Sequence, residues 1–234
     1  MLTPSTRLVV SVLGASSASF AGDPIVWDNG PYHPDLLAVQ PSIYWLTDTG
    51  EVQADTALAD DFMLTQDTFI TGIDVYAAVF GDPFAPPPTL LIEFFASDPS
   101  GLTPTHGVND ASTTALATYL ISGDQIAIVP EPEYPGFHIH YALTLPTPFT
   151  ADAGTHYWMS VQGYFDNSLE WEWLSWIAST EQHLSLATWT ADGTWETLEA
   201  ETDFAFKLYG TPVPGPGALA LLGVAALARR RWRR

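Results

Sequence analysis

Between positions 43 and 209, apolar residues recur at every second position in short runs, and clusters of Pro, Gly, Asp and Asn separate the runs. That period belongs to half-buried β-strands, with one face on a core and the other outside. The clearest case covers 137–145, where Phe137, Ile139, Tyr141, Leu143 and Leu145 form one face and His138, His140, Ala142 and Thr144 the other. Near the end of the body, Phe204, Phe206 and Leu208 oppose Ala205, Lys207 and Tyr209 in the same way. Strands are predicted at 43–46, 58–64, 69–80, 90–96, 115–121, 125–129, 137–145, 156–162, 169–178, 184–190 and 204–209. Turns are expected at Ala153-Gly154, Gly163 and Asp192-Gly193.

No stretch of the body carries a capped helical period, and no repeat at fixed spacing points to a propeller or solenoid. Many strands without intervening helices predict an antiparallel β-sandwich, jelly-roll-like, over residues 22–211. The loops 81–88, 97–112 and 130–136 are long and rich in proline, and loops at one end of a sandwich are common places for ligand sites.

Composition sharpens this picture. The 234 residues include 9 Trp, 9 Tyr and 12 Phe but no Cys, so a sizeable core must hold by packing, without disulfides, thiolate metal sites or cysteine nucleophiles. Charge is strongly one-sided. All 27 acidic residues fall between Asp23 and Asp203, and Lys207 is the one basic residue between Arg7 and the C-terminal arginines. A surface with no basic patch cannot displace the counterions of nucleic acid, so nucleic-acid binding is excluded. Three explanations of the acidity stay open: a saline medium that screens repulsion, divalent-cation binding, and solubility alone.

The two ends depart from the strand pattern. Residues 1–21 place Arg7 before an apolar stretch and end in Ser19-Phe20-Ala21, which reads as a signal peptide cleaved before Gly22. At the other end, residues 212–234 run from a proline-glycine hinge through an uncharged segment at 218–228 to Arg229, Arg230, Arg231, Arg233 and Arg234. That segment predicts a short hydrophobic C-terminal helix, below the about 20 residues of a full transmembrane span. The arginines would hold its end on the cytoplasmic side of the membrane.

The order of hinge, apolar segment and terminal arginines resembles the PEP-CTERM sorting tail of exported bacterial proteins. The motif position reads Val213-Pro214-Gly215-Pro216-Gly217, with glycine where that family carries glutamate. The resemblance implies export, membrane contact through the C-terminal segment before processing, cleavage by an exosortase-type enzyme, and extracellular polysaccharide as a partner. A literal Pro130-Glu131-Pro132 lies mid-chain with no apolar segment behind it and is expected to be a loop. The body, through "ADDFML", "ITGIDVY", "PFTADAGTHYWMSV" and "FAFKLYG", is similar to the exported β-sandwich ectodomains that precede such tails.

Four groups of residues offer chemistry. Trp171 and Trp173 alternate with Glu170 and Glu172, a pattern that suits either a core strand or a platform on which a sugar ring stacks. His138 and His140 share a strand face, and His156 would complete a zinc site if it lay on the neighbouring strand. Asp60, Asp61 and Asp203 are candidate calcium ligands, although no twelve-residue calcium loop is present. Glu170 and Glu172, about 7 Å apart along a strand, are spaced so that geometry does not exclude a glycoside-hydrolase pair.

No nucleophile-elbow, phosphate-loop or dinucleotide motif occurs. The expectation is therefore a non-enzymatic, exported structural or adhesive protein of the cell envelope or matrix. It requires no cofactor. The alternative is a lectin-like carbohydrate-binding module, with calcium as an optional ligand.

Overall fold

The computed structural model describes residues 23–29, 38–41, 43–46, 52–80, 89–105, 115–129, 138–164, 170–177, 186–189, 195–198 and 202–214. Within them the chain forms two sheets, antiparallel but for one short pairing, with a single 3-10 turn at Gly123–Gln125. The fold is an antiparallel β-sandwich, as the alternation predicts.

The first sheet is organised around β5 (Thr68–Phe80). One edge of β5 pairs with β9 (His138–Ala151), which in turn holds β8 (Ile126–Val129). The other edge is shared by β15 (Phe206–Pro212) and β11 (Glu170–Ile177). The strand β1 (Ile25–Asp28) extends the sheet beyond β15, while β2 (Ala38–Pro41) and β14 (Thr202–Phe204) pair with β11.

The second sheet is organised around β4 (Val52–Met63), which pairs with β3 (Ile43–Leu46), with β10 (His156–Tyr164) and with β12 (Leu186–Trp189). Outside β10 lie β6 (Thr89–Ala96) and then β7 (Ala117–Ser122); outside β12 lies β13 (Trp195–Leu198).

Period-two alternation decides what each sheet gives to the core. Leu58 and Phe62 of β4, Leu90, Ile92 and Phe94 of β6, and Tyr157, Met159 and Val161 of β10 face inward. They meet Ile73 and Val75 of β5, Ile139, Tyr141, Leu143 and Leu145 of β9, and Phe206 and Leu208 of β15. Phe94 of one sheet stacks on Phe149 of the other at 4.2 Å between ring centroids, with an interplanar angle of 4°. The outer face of the second sheet carries a smaller buried cluster of Ala57, Ala59, Phe95 and Trp158, with Trp195 edge-on to Phe95.

Two departures from the predicted strands have physical causes. The strand expected to stop at 145 continues to Ala151 through two prolines. Register explains how: Gly72 pairs with Thr144 but Ile70 pairs with Phe149, so residues 145–148 bulge out opposite Thr71. Pro146 and Pro148, which lack an N–H, therefore stand where little ladder bonding is required. Gly163 lies inside β10 rather than in a turn, since Leu90 and Ile43 hold it from both sides. The expected turn at Gly154 is present, with φ at 68°. The strands β1, β2 and β13 were not anticipated. The turn at Asp192-Gly193 and the segment Pro130-Glu131-Pro132 lie outside the described residues.

Gly210 is required by crowding. It sits at a register shift in β15, where an added Cβ would overlap the Phe69 carbonyl oxygen and come within 2.9 Å of Thr68 Cγ2. Gly210→Ala is expected to cost about 1–3 kcal/mol, because a backbone carbonyl in a ladder cannot step aside. A lowered urea midpoint at unchanged slope would show it; an unchanged midpoint would mean that the ladder yields.

Candidate functional site

Neighbouring residues of a strand point to opposite faces, and that rule separates Asp60 from Asp61. Asp60 follows Leu58 and precedes Phe62 on the inward face, and it is completely buried. Its Oδ2 accepts hydrogen bonds from the Phe204 backbone N–H at 2.8 Å and from Asn29 Nδ2 at 2.9 Å. Its Oδ1 accepts the backbone N–H of Asp61 at 2.7 Å. Asn29 is fixed in turn, because its Oδ1 accepts Trp27 Nε1–H at 2.7 Å. Asp60 thus ties β4 of the second sheet to the ends of β1 and β14 in the first.

Burial holds the Asp60 carboxyl well above the usual carboxylate range. The negative charges of Asp203 and Asp61 push in the same direction, against the hydrogen bonds from Phe204 and Asp61. Asp60 and Asp203 are therefore close, as the calcium expectation required, but through the packing of opposed sheets. Asp61 turns the other way. Its carboxylate lies on the outer face of the second sheet against His156. Among the described residues, no three His, Cys, Asp or Glu side chains group into a metal site.

On that outer face, Asp61, His156, Ser97 and Trp158 form one hydrogen-bonded chain. The antiparallel pairing of β4 with β10 sets Asp61 beside Trp158, and the pairing of β10 with β6 sets Tyr157 beside Ala96. His156 Nε2 contacts Asp61 Oδ2, and His156 Nδ1 lies 3.2 Å from Ser97 Oγ. Trp158 Nε1–H donates to the same Oγ at 3.1 Å. Ser97 begins a tight loop in which the Asp98 carboxylate accepts from Ser100 Oγ–H at 2.7 Å and from the Leu102 N–H at 3.1 Å. No motif in the sequence announced this chain. Its members are ordinary residues in three separate segments.

The histidines of the sequence analysis do not converge. The turn at 152–155 carries the chain from the first sheet to the second, so His140 of β9 and His156 of β10 lie in opposite sheets. His140 Nε2 stands 3.0 Å from Asp74 Oδ2, its ring stacked 4.6 Å from Tyr76, and Tyr209 O–H donates to the same Asp74 oxygen at 2.7 Å. That is a second polar group, on the outer face of the first sheet.

The register of β11 places position 173 opposite Ala77 and position 171 opposite Val79. Positions 170 and 172 pair with 80 and 78, so all four residues lie on β11 of the first sheet, beside the end of β5. Of the sorting motif, Val213 and Pro214 are described, and the Val213 N–H donates to the Asp67 carbonyl at 2.8 Å where the last strand ends. Gly215, Pro216, Gly217 and the five arginines lie outside the described residues. Among the described residues no helix is long and apolar enough to cross a membrane.

Fold and polar groups together define a cysteine-free β-sandwich domain with hydrogen-bonded titratable clusters on both outer faces and one between its sheets. The chain belongs to the family of the domain of unknown function DUF7901, whose pattern matches residues 27–209, from β1 to β15. No curated protein matches it.

Proposed function

We propose that the chain is an exported β-sandwich, delivered to the cell envelope or extracellular matrix by an exosortase-type C-terminal signal and acting there as a structural or adhesive component. One observation carries this reading: the family match and the described strands both end before the apolar segment and the arginines. The match stops at residue 209, and the last described strand, held between β1 and β5, finishes at Pro212. In sequence, the apolar segment and arginines follow the matched domain, and the stretch before Asp23 precedes it. Extracellular polysaccharide is the partner this reading implies.

The test is the intact mass of the protein from its host, measured separately in membrane, medium and matrix fractions. The expected mass lacks both the first 21 residues and everything beyond the hinge, and is found outside the membrane. A chain that keeps Trp232 and the arginines in the membrane fraction would make the tail a plain anchor and end the sorting proposal.

A further inference from the structure

The chain of side chains on the outer face of the second sheet has the order of an activated nucleophile. A carboxylate can only accept, so the contact between Asp61 and His156 fixes the ring proton on Nε2 and leaves Nδ1 as an acceptor. An indole N–H can only donate, so Ser97 Oγ accepts from Trp158 and sends its own proton to His156 Nδ1. With the imidazole neutral, the hydrogen bonds run from serine to histidine to aspartate. Burial follows the same order, with 3 % of the Asp61 side chain exposed and 27 % of His156, while Ser97 is half-buried at the start of its loop.

We propose that Ser97 is an acyl-accepting nucleophile, with His156 as its base, Asp61 as the residue that positions His156, and neutral activated esters as its substrate class. Roles and geometry define such a triad, not sequence order or fold. Ser97 Oγ attacks the ester carbonyl carbon, the new C–O bond forms, and the serine proton passes to His156 Nδ1. Asp61 holds the resulting imidazolium. Collapse of the adduct breaks the bond to the leaving alcohol, which takes the proton from Nδ1 and restores neutral His156. Water attacking the acyl-serine by the same route, with His156 again as base, releases the acid and regenerates Ser97.

Two local features refine the proposal. The slight burial of Asp98 acts to raise its pKa, but hydrogen bonds from Ser100 and from the backbone of Ser100, Leu102 and Thr103 hold it below the usual carboxylate range. A fixed negative charge next to Ser97 disfavours anionic substrates and selects neutral ones. The backbone N–H groups of Asp98, Gly101, Leu102 and Thr103 are all engaged within the loop. Those four groups are therefore not free to cradle an oxyanion, the feature that makes turnover fast. Capture of one acyl group should outrun its release, because an activated ester has a good leaving group whereas the acyl-serine is an ordinary alkyl ester.

The experiment uses the full chain with p-nitrophenyl acetate at neutral pH. A burst approaching one p-nitrophenolate per chain is expected, followed by slow release, with the acetyl group mapped by mass spectrometry to Ser97. Ser97→Ala should abolish the burst. His156→Gln should slow it by about a hundredfold or more, the usual worth of a general base. Asp61→Asn should slow the burst while leaving its amplitude near one, because nucleophile and base remain; a merely structural Asp61 would reduce the amplitude instead. Acetyl groups found on tyrosines, Lys207 or the N-terminus with Ser97 unmodified would overturn the proposal. That map needs only the wild-type protein, so it decides even where a variant fails to fold. Ser97 can label whether or not the tail is cut, so this proposal and the export reading fail separately.

Discussion

Phe94→Ala is expected to destabilise the domain by about 3–5 kcal/mol, the cost of emptying a fully buried aromatic site. Phe94 is completely buried and joins the sheets through contacts with three rings. It stacks on Phe149 from the first sheet and meets Phe62 and Tyr119 edge-on at 6.0 and 6.2 Å within the second. Phe62 in turn stacks against Tyr157 at 5.6 Å. Truncation removes the ring shared by these pairs, and ladder-bonded strands on both sides limit collapse into the space. For a domain of this size the melting temperature should fall by roughly 6–20 °C, at about 2–4 °C per kcal/mol. Phe94→Leu should recover about half of the loss, because it restores volume but no ring contacts. Thermal unfolding of the two variants checks this. Equal melting temperatures for wild type and Phe94→Ala would mean that the two sheets are not held together at this point.

How much of this was readable beforehand depended on whether the signal was local. The alternation in 137–145 and 204–209 identified both faces of β9 and β15, and the structure buries the predicted apolar face of each. Strands long enough to show a period were found. Of the four-residue strands, too short to display one, β3, β8 and β12 were found from their apolar runs, while β1, β2 and β13 were missed. Proline misled at 146 and 148, since its missing N–H ends a strand unless a bulge absorbs it, and the bulge is set by the partner strand.

The candidate sites were less legible. Asp60-Asp61 stood out as a pair, yet strand geometry turns one inward and the other outward, so adjacency in sequence meant separation in space. The partners they acquire come from pairing and packing. Asp61 meets His156, 95 residues away, because β4 and β10 pair, and Asp60 meets Phe204, 144 residues away, because the sheets close on each other. A parity count along "ADDFML" and "THYWM" would have put Asp61 and His156 on non-core faces, but their alignment needed the register. Ser97, which no motif marks, and Trp158 belong to the polar chain.

Asp60 leads to the second large effect, whose dependence on pH reverses the usual behaviour of a buried aspartate. Asp60→Ala removes the acceptor of three N–H donors, from Asn29, Phe204 and Asp61, in a completely buried site. Leaving such donors unsatisfied costs about 1–3 kcal/mol each, partly offset here by release of the repulsion with Asp203 and Asp61. A net loss of about 2–5 kcal/mol is expected in mild acid. The sign of the pH dependence follows from the raised pKa. The folded state keeps the proton at pH values where the unfolded chain, near 3.9, has released it. The contribution of Asp60 is therefore fully present below the unfolded pKa and declines as pH rises towards the folded one, by about 1.4 kcal/mol per pH unit within that window. The alanine variant has no such carboxyl, so its deficit should shrink as pH rises from acid towards neutral. Because the charges of Asp203 and Asp61 act on Asp60, the difference curve reports Asp60 together with these neighbours. Urea midpoints for wild type and Asp60→Ala across this range give that curve directly. A deficit that grew with pH would mean that Asp60 is ionised and held by its donors, as in an ordinary buried ion site. A deficit that shrinks would identify a protonated carboxyl joining the two sheets, with the acidity of the surrounding chain helping to keep its proton in place.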